Sequence, residues 1–220
     1  MDIITRFDEP GVDGYLHRPE GASRGGLVLT HGAGGNAEAP LLAAAANAFA
    51  GAGFTVLRCN LPFRQRRPKG PPSPASAGAD RDGLRRAAAA MRRLADGPIA
   101  LGGISYGGRQ ASLLAAEEPD VAAALLLLSY PLHPPGKPEQ LRTRHFPRLA
   151  LPCLFVQGTS DPFGSPDELR AAIALISSPT RIITVAGAGH DLRRGAFDLA
   201  GVVETLAELL ERGRLNRRAR

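Results

Sequence analysis

The sequence contains no tryptophan, two cysteines, two methionines and, among 27 basic residues, only two lysines, Lys69 and Lys137. Each shortage excludes something. Cys59 and Cys153 are too few for a disulfide framework or a thiolate zinc site. Each lies in an apolar run and reads as a small buried hydrophobe. The absence of tryptophan removes the best stacking platform for single-stranded nucleic acid. The net charge of +6 therefore reads as arginine-rich compositional bias, and no nucleic-acid partner is expected. No apolar run approaches the roughly 18 residues of a membrane span; the longest obvious one, Val121 to Leu128, has eight. The opening segment Met1 to Asp8 has no basic start followed by a long apolar stretch. No secretory signal and no membrane association are expected, and the cytoplasm is the default compartment.

What is present is ordinary for a globular chain: 220 residues, 44% hydrophobic and 22% charged, enough for one domain with a full core. Apolar runs recur at Leu27–Thr30, Phe54–Leu57, Ile99–Leu101, Ala124–Leu128, Cys153–Val156 and Ile182–Val185. They are continuous rather than alternating, as strands buried on both faces should be. Helical periodicity lies between them: Leu84, Ala88, Met91 and Ala95, stopped by Gly97-Pro98, then Leu169, Ile173 and Ile176 after the start signal Ser165-Pro166-Asp167-Glu168. A last stripe, Leu199 to Leu210, ends before Gly213. Alternating strands and helices predict a mostly parallel twisted sheet with helices on both faces. Ile3–Phe7 and Val12–His17, around the Asp8–Gly11 turn, predict an antiparallel hairpin at one edge.

Two basic clusters stand out. Arg64, Arg66, Arg67 and Lys69 fall in a proline-rich stretch, 64–76, read as a surface loop. Arg212, Arg214, Arg217, Arg218 and Arg220 crowd the end of the chain. We expect a single domain over 1–212 and a solvated basic tail over 213–220.

The strongest chemical signal is Gly103-Ile104-Ser105-Tyr106-Gly107. It follows a strand and opens a helix, the context in which G-x-S-x-G holds a nucleophilic serine on a strained turn. A serine nucleophile needs a base, and the base an orienting carboxylate. Asp161 follows the strand from Cys153, and His190 follows the strand ending at Val185. Both sit at carboxyl ends of strands, where open α/β sheets carry their sites. Donors for an oxyanion are also required. The loop His31-Gly32-Ala33-Gly34-Gly35-Asn36 nominates the backbone N–H of Ala33, together with that of Tyr106. His31 reads better as a loop-shaping residue than a catalytic one. Arg109, one helical turn after Ser105, either pairs with a carboxylate or binds an acidic substrate; the first is expected. Arg58 and Asn60 are expected to brace the loop after their strand. Arg109, Arg58 and His31 remain the candidates for substrate contact. Asp191 is expected to cap or brace the His190 loop. Gly32 to Ala37 also fits G-x-G-x-x-A, a dinucleotide-binding pattern. That reading leaves Ser105, Asp161 and His190 without a role.

Taken together, His31–Gly35, Arg58–Phe63, Ser105–Arg109, Gly158–Gly164 and Gly189–Asp191 resemble the α/β-hydrolase superfamily over nearly the whole chain. More narrowly the chain is similar to the small, lidless, dienelactone-hydrolase-like group. Within that group it resembles the family named after a subunit of the NSL histone-acetyltransferase complex and a testis-expressed protein. The resemblance implies the α/β-hydrolase fold and a hydrolase triad. Relatives in that complex carry large regions absent here, so a chromatin role is not implied.

The expected function is therefore a carboxylesterase-like serine hydrolase acting on a small acyl substrate. Ser105 attacks, His190 carries the proton, Asp161 holds the imidazole, and an acyl-enzyme forms. No metal or organic cofactor is expected. About 20 residues, Tyr130 to Leu151, leave no room for a large lid. The alternative from another class is a non-catalytic interaction domain retaining the fold.

Overall fold

The computed structural model describes residues 3–193 and 197–218, with side chains described to residue 212. Eight strands form one sheet: β1 (Ile3–Glu9), β2 (Val12–Arg18), β3 (Gly26–Thr30), β4 (Thr55–Asn60), β5 (Ile99–Ile104), β6 (Ala124–Leu128), β7 (Cys153–Gly158) and β8 (Thr180–Val185). Their spatial order is β1-β2-β4-β3-β5-β6-β7-β8. β1 and β2 form the expected hairpin, with Ile3 opposite Arg18, and β2 runs antiparallel to β4. Every other pairing is parallel.

The helices are α1 (Pro40–Gly51), α2 (Pro62–Arg66), α3 (Ala77–Leu94), α4 (Tyr106–Glu117), α5 (Pro166–Ile173) and α6 (Leu199–Arg218). They cover both faces because each central strand is apolar on both sides. In β6, Leu125 and Leu127 pack with Leu84, Met91 and Leu114 of α3 and α4. Leu126 and Leu128, one residue out of phase, pack with Leu42 and Phe49 of α1 and Val202 and Leu206 of α6. The period of two along the strand thus feeds two cores at once. Each leucine removed from water this way contributes roughly 1.5–3 kcal/mol.

Local signals explain several boundaries. Ser165 Oγ accepts from the Glu168 N–H at 3.3 Å while the Glu168 carboxylate accepts from the Ser165 N–H at 2.8 Å, a reciprocal cap that starts α5. Ile176, expected on that helix, lies in the turn beyond it but is still buried.

Two expectations are corrected. Gly213 does not end the last helix: the α6 backbone runs across it to Arg218. The rest of the basic-tail expectation concerns side chains beyond 212 and residues 219–220, outside what is described. The stretch 64–76 is not simply a surface loop. Leu61-Pro62 begins the short helix α2, and Arg64 turns inward to 6% exposure while Arg66, Arg67 and Lys69 stay exposed. Between β6 and β7 there is only loop and a single 3-10 turn at Phe146–Arg148, so this connection inserts no lid domain.

Candidate active site

Ser105 joins β5 to α4 with φ 51° and ψ −113°, a left-handed conformation that a non-glycine residue adopts at a cost. The turn is possible because its neighbours lack side chains. A Cβ on Gly103 would stand 2.4 Å from the Thr30 carbonyl oxygen, and one on Gly107 would stand 2.6 Å from that of His31. The Ser105 N–H donates to the Leu128 carbonyl at 2.8 Å, tying the turn to β6.

The three separated residues come together. Ser105 Oγ lies 2.8 Å from His190 Nε2. His190 Nδ1 lies 2.8 Å from Asp161 Oδ2 and 3.0 Å from Oδ1. A carboxylate only accepts, so Nδ1 carries the proton and Nε2 is left to accept from the serine hydroxyl. The Asp161 side chain is fully buried, whereas that of His190 is 24% exposed. Three donors hold Asp161 in place: His190, the Phe163 N–H at 2.9 Å to Oδ1, and the Gln157 side-chain amide at 2.9 Å to Oδ2. The Phe163 ring stacks on the imidazole with centroids 4.2 Å apart. An imidazole bridged in this way can take a proton from the serine and keep its orientation while charged.

The His31–Asn36 loop stands beside this arrangement. Gly32 backs on to the nucleophile: a Cβ there would lie 3.5 Å from Ser105 Cβ. The Gly32 carbonyl accepts from His31 Nδ1 at 2.8 Å and from the Gly35 N–H at 3.1 Å. Across a planar trans peptide, the Ala33 N–H must point the other way. The Tyr106 N–H is the first of α4 and has no acceptor within the helix. These are the two donors nominated from sequence.

His31 is fully buried and uses both nitrogens, since Nε2 accepts from the Leu61 N–H at 3.1 Å. Burial, aided by the nearby Arg64 charge, pushes its pKa down to about 4. It is a neutral loop-shaping group, and its candidacy for substrate contact is withdrawn. Arg58 is also unavailable. Its Nε donates to His17 Nε2 at 2.8 Å, another N–H donates to the Ala37 carbonyl, and its guanidinium carbon lies 4.2 Å from the centroid of the Tyr15 ring. Asn60 accepts from the Ala37 N–H at 2.7 Å. Arg58 and Asn60 together pin the end of the glycine loop, the bracing expected of them. Asp191 accepts from the Arg193 N–H at 3.1 Å, within its own loop. Arg109 differs from expectation: no carboxylate pairs with it among the described residues, and its Nε is buried without a hydrogen-bond partner.

Sequence reading missed two residues. Gln157 is fully buried; besides Asp161 it bonds the Gly164 carbonyl at 2.8 Å and accepts from the Tyr130 N–H at 2.9 Å. A glutamine at the end of an otherwise apolar strand was the available signal. Arg64 donates to the carbonyls of Gly35 at 2.8 Å and Ala33 at 3.0 Å, and on its other side to Gly70 at 3.0 Å and Arg67 at 3.2 Å. Beneath it, the buried Asp80 accepts from the Phe63 N–H at 2.9 Å and the Tyr106 hydroxyl at 2.8 Å. Among the described residues no group of acidic, histidine and cysteine side chains could hold a metal ion, and no helix is long and apolar enough to cross a membrane.

A family model described as an alpha/beta hydrolase domain matches residues 23–209. Solved structures agree in fold. A dienelactone hydrolase from Anabaena variabilis superposes with a TM-score of 0.70 at 20% identity, covering 96% of this chain and 97% of that one. An alpha-beta serine hydrolase homologue from Coxiella burnetii gives 0.66 at 22%, with 96% of each chain covered. Est1E from Butyrivibrio proteoclasticus gives 0.67 at 16%, with 99% of each covered. At these identities the likeness is one of fold.

Proposed function

The chain belongs to the alpha/beta hydrolase domain family, and on that premise we propose that it is a serine hydrolase cleaving an ester-like acyl bond of a small substrate. The observation that carries this reading is the unbroken relay from Ser105 Oγ through His190 to the buried Asp161 carboxylate, at 2.8 Å on either side of the imidazole. Ser105 Oγ attacks the acyl carbon while its proton passes to His190 Nε2. The carbonyl oxygen becomes an oxyanion facing the N–H groups of Ala33 and Tyr106. The imidazolium, stabilised by Asp161, returns the proton to the leaving oxygen as that bond breaks. Water then attacks the acyl carbon and gives a proton to His190, which passes it to Ser105 Oγ as the acyl–oxygen bond breaks and the acid leaves. The partly exposed His190 and the short connection between β6 and β7 suit small or flexible acyl groups.

The finer reading keeps the chain in the dienelactone-hydrolase-like group, next to the family named after the NSL-complex subunit and the testis-expressed protein. It rests on the residue runs given above. Turnover of a p-nitrophenyl ester tests the proposal: Ser105→Ala should lower kcat by roughly 10³-fold or more with the fold intact. Wild-type turnover in pure Ser105→Ala protein would refute it.

A further inference from the structure

A second feature lies one helical turn from the nucleophile. Arg109 of α4 and the loop 139–148 enclose a cleft of about 760 Å³, lined by Arg109, Arg142, Arg144 and Arg148, with Glu139 and His145 also on its wall. Four guanidinium groups face one carboxylate. None of the four forms an ion pair among the described residues. Arg142 donates to the Pro131 carbonyl at 3.2 Å, and the Arg109 Nε is buried with no partner. His145 adds no positive charge near neutrality. Its Nε2 donates to Ser112 Oγ at 2.8 Å, and that hydroxyl donates onward to the Arg109 carbonyl at 2.9 Å. Burial and the charges of Arg109 and Arg148 push the His145 pKa down to about 4. The fold thus gathers at one cleft cations that repel one another, a state that an anion relieves.

We propose that this cleft binds the oxyanionic group, carboxylate or phosphate, of the molecule whose ester Ser105 cleaves. The inference rests on the hydrolase reading and narrows its substrate to anionic esters. The spacing supports one molecule for both sites. Along α4, Arg109 lies about 6 Å and Leu113, which also lines the cleft, about 12 Å beyond Ser105 at 1.5 Å per residue. A chain of a few methylene groups covers the span from Ser105 to Arg109. Guanidinium forks suit both carboxylate and phosphate. No Phe, Tyr or Trp side chain is among the residues lining the cleft, which disfavours a stacked base.

Calorimetry tests the cleft apart from catalysis. Adipate and monobutyl phosphate are titrated into Ser105→Ala protein, with and without Arg142→Gln/Arg148→Gln. At least one anion should bind, about tenfold more weakly after the double substitution; which one binds distinguishes carboxylate from phosphate. No binding of either at millimolar concentration, or binding indifferent to the substitutions, overturns the proposal. Should the double variant fail to fold, Arg148→Glu, at an exposed position, replaces it. Kinetics then test the coupling to Ser105. The ratio of kcat/KM for mono-p-nitrophenyl adipate over p-nitrophenyl hexanoate should exceed unity and fall about tenfold in the variant. A flat ratio refutes the coupling even if calorimetry is positive. Absence of turnover on both esters refutes the hydrolase reading, while calorimetry still judges the cleft.

Discussion

Arg64→Met removes the guanidinium that joins the glycine loop to its outer neighbour while keeping an unbranched apolar stem. Four carbonyls lose a charged donor: those of Gly35, Ala33, Gly70 and Arg67. A bond from a charged donor contributes about 1.5–3 kcal/mol when buried. The carbonyls on the outer side regain water, so the net loss of stability should be about 2–4 kcal/mol. The catalytic effect follows from the Ala33 N–H: its peptide plane, with the Gly32 carbonyl, meets at the Ala33 Cα the next plane, which Arg64 holds through the Ala33 carbonyl. A donor misplaced by about 1 Å costs on the order of 10²-fold. Ground-state binding is untouched by this change. Steady-state kinetics on p-nitrophenyl acetate, run well below the variant's Tm, should show kcat down about 10²-fold and KM little changed. Unchanged kcat alongside a lowered Tm would show that the clamp supports the fold and not the oxyanion site.

Two further outcomes are expected. Asp161→Asn should cost roughly 10⁴-fold in turnover by favouring the wrong imidazole tautomer, the magnitude known for a serine-protease triad; the exposed Asp167, in the first turn of α5, should cost little catalysis and at most about 1 kcal/mol of stability as Asn. An inactive Asp167→Asn beside an active Asp161→Asn would mean a different acid. Stability should also fall with acid between the ordinary histidine pKa of 6.5 and about 4, because over that window unfolded His31 takes up a proton that folded His31 refuses. The loss approaches about 3 kcal/mol below that window, with His145 adding in the same direction. Urea unfolding across this range should show a shallower pH dependence for His31→Asn, and an unaltered dependence would contradict a buried neutral His31.

Much of this architecture was legible in the residues because strong local rules and the global fold agree. Continuous apolar runs marked the buried parallel strands, and Ser165-Pro166-Asp167-Glu168 marked a helix start. The close spacing of Gly103, Ser105 and Gly107 carried its own steric reason. Positions set by long-range partners were not legible. Arg64 sits among exposed arginines, and only the tertiary arrangement of the Ala33 and Gly35 carbonyls turns it inward. Gln157 looks like a strand end until Asp161 and Tyr130 meet on it. Arg109 looked like half of an ion pair because arginines usually find carboxylates. Which groups the 139–148 loop brings to it depends on the path of that loop, and those groups are mostly arginines. Gly213 failed as a stop signal because a single glycine costs a helix only about 1 kcal/mol.

The central claim is that Ser105 is a nucleophile activated through His190. A fluorophosphonate probe tests it without knowledge of the substrate, since it phosphonylates an activated serine and spares ordinary ones. Intact mass and peptide mapping should show one adduct per chain, on Ser105, with labelling abolished in Ser105→Ala and strongly slowed in His190→Ala. Folded wild-type protein that remains unlabelled, or that is labelled equally well when His190 is replaced, would contradict it.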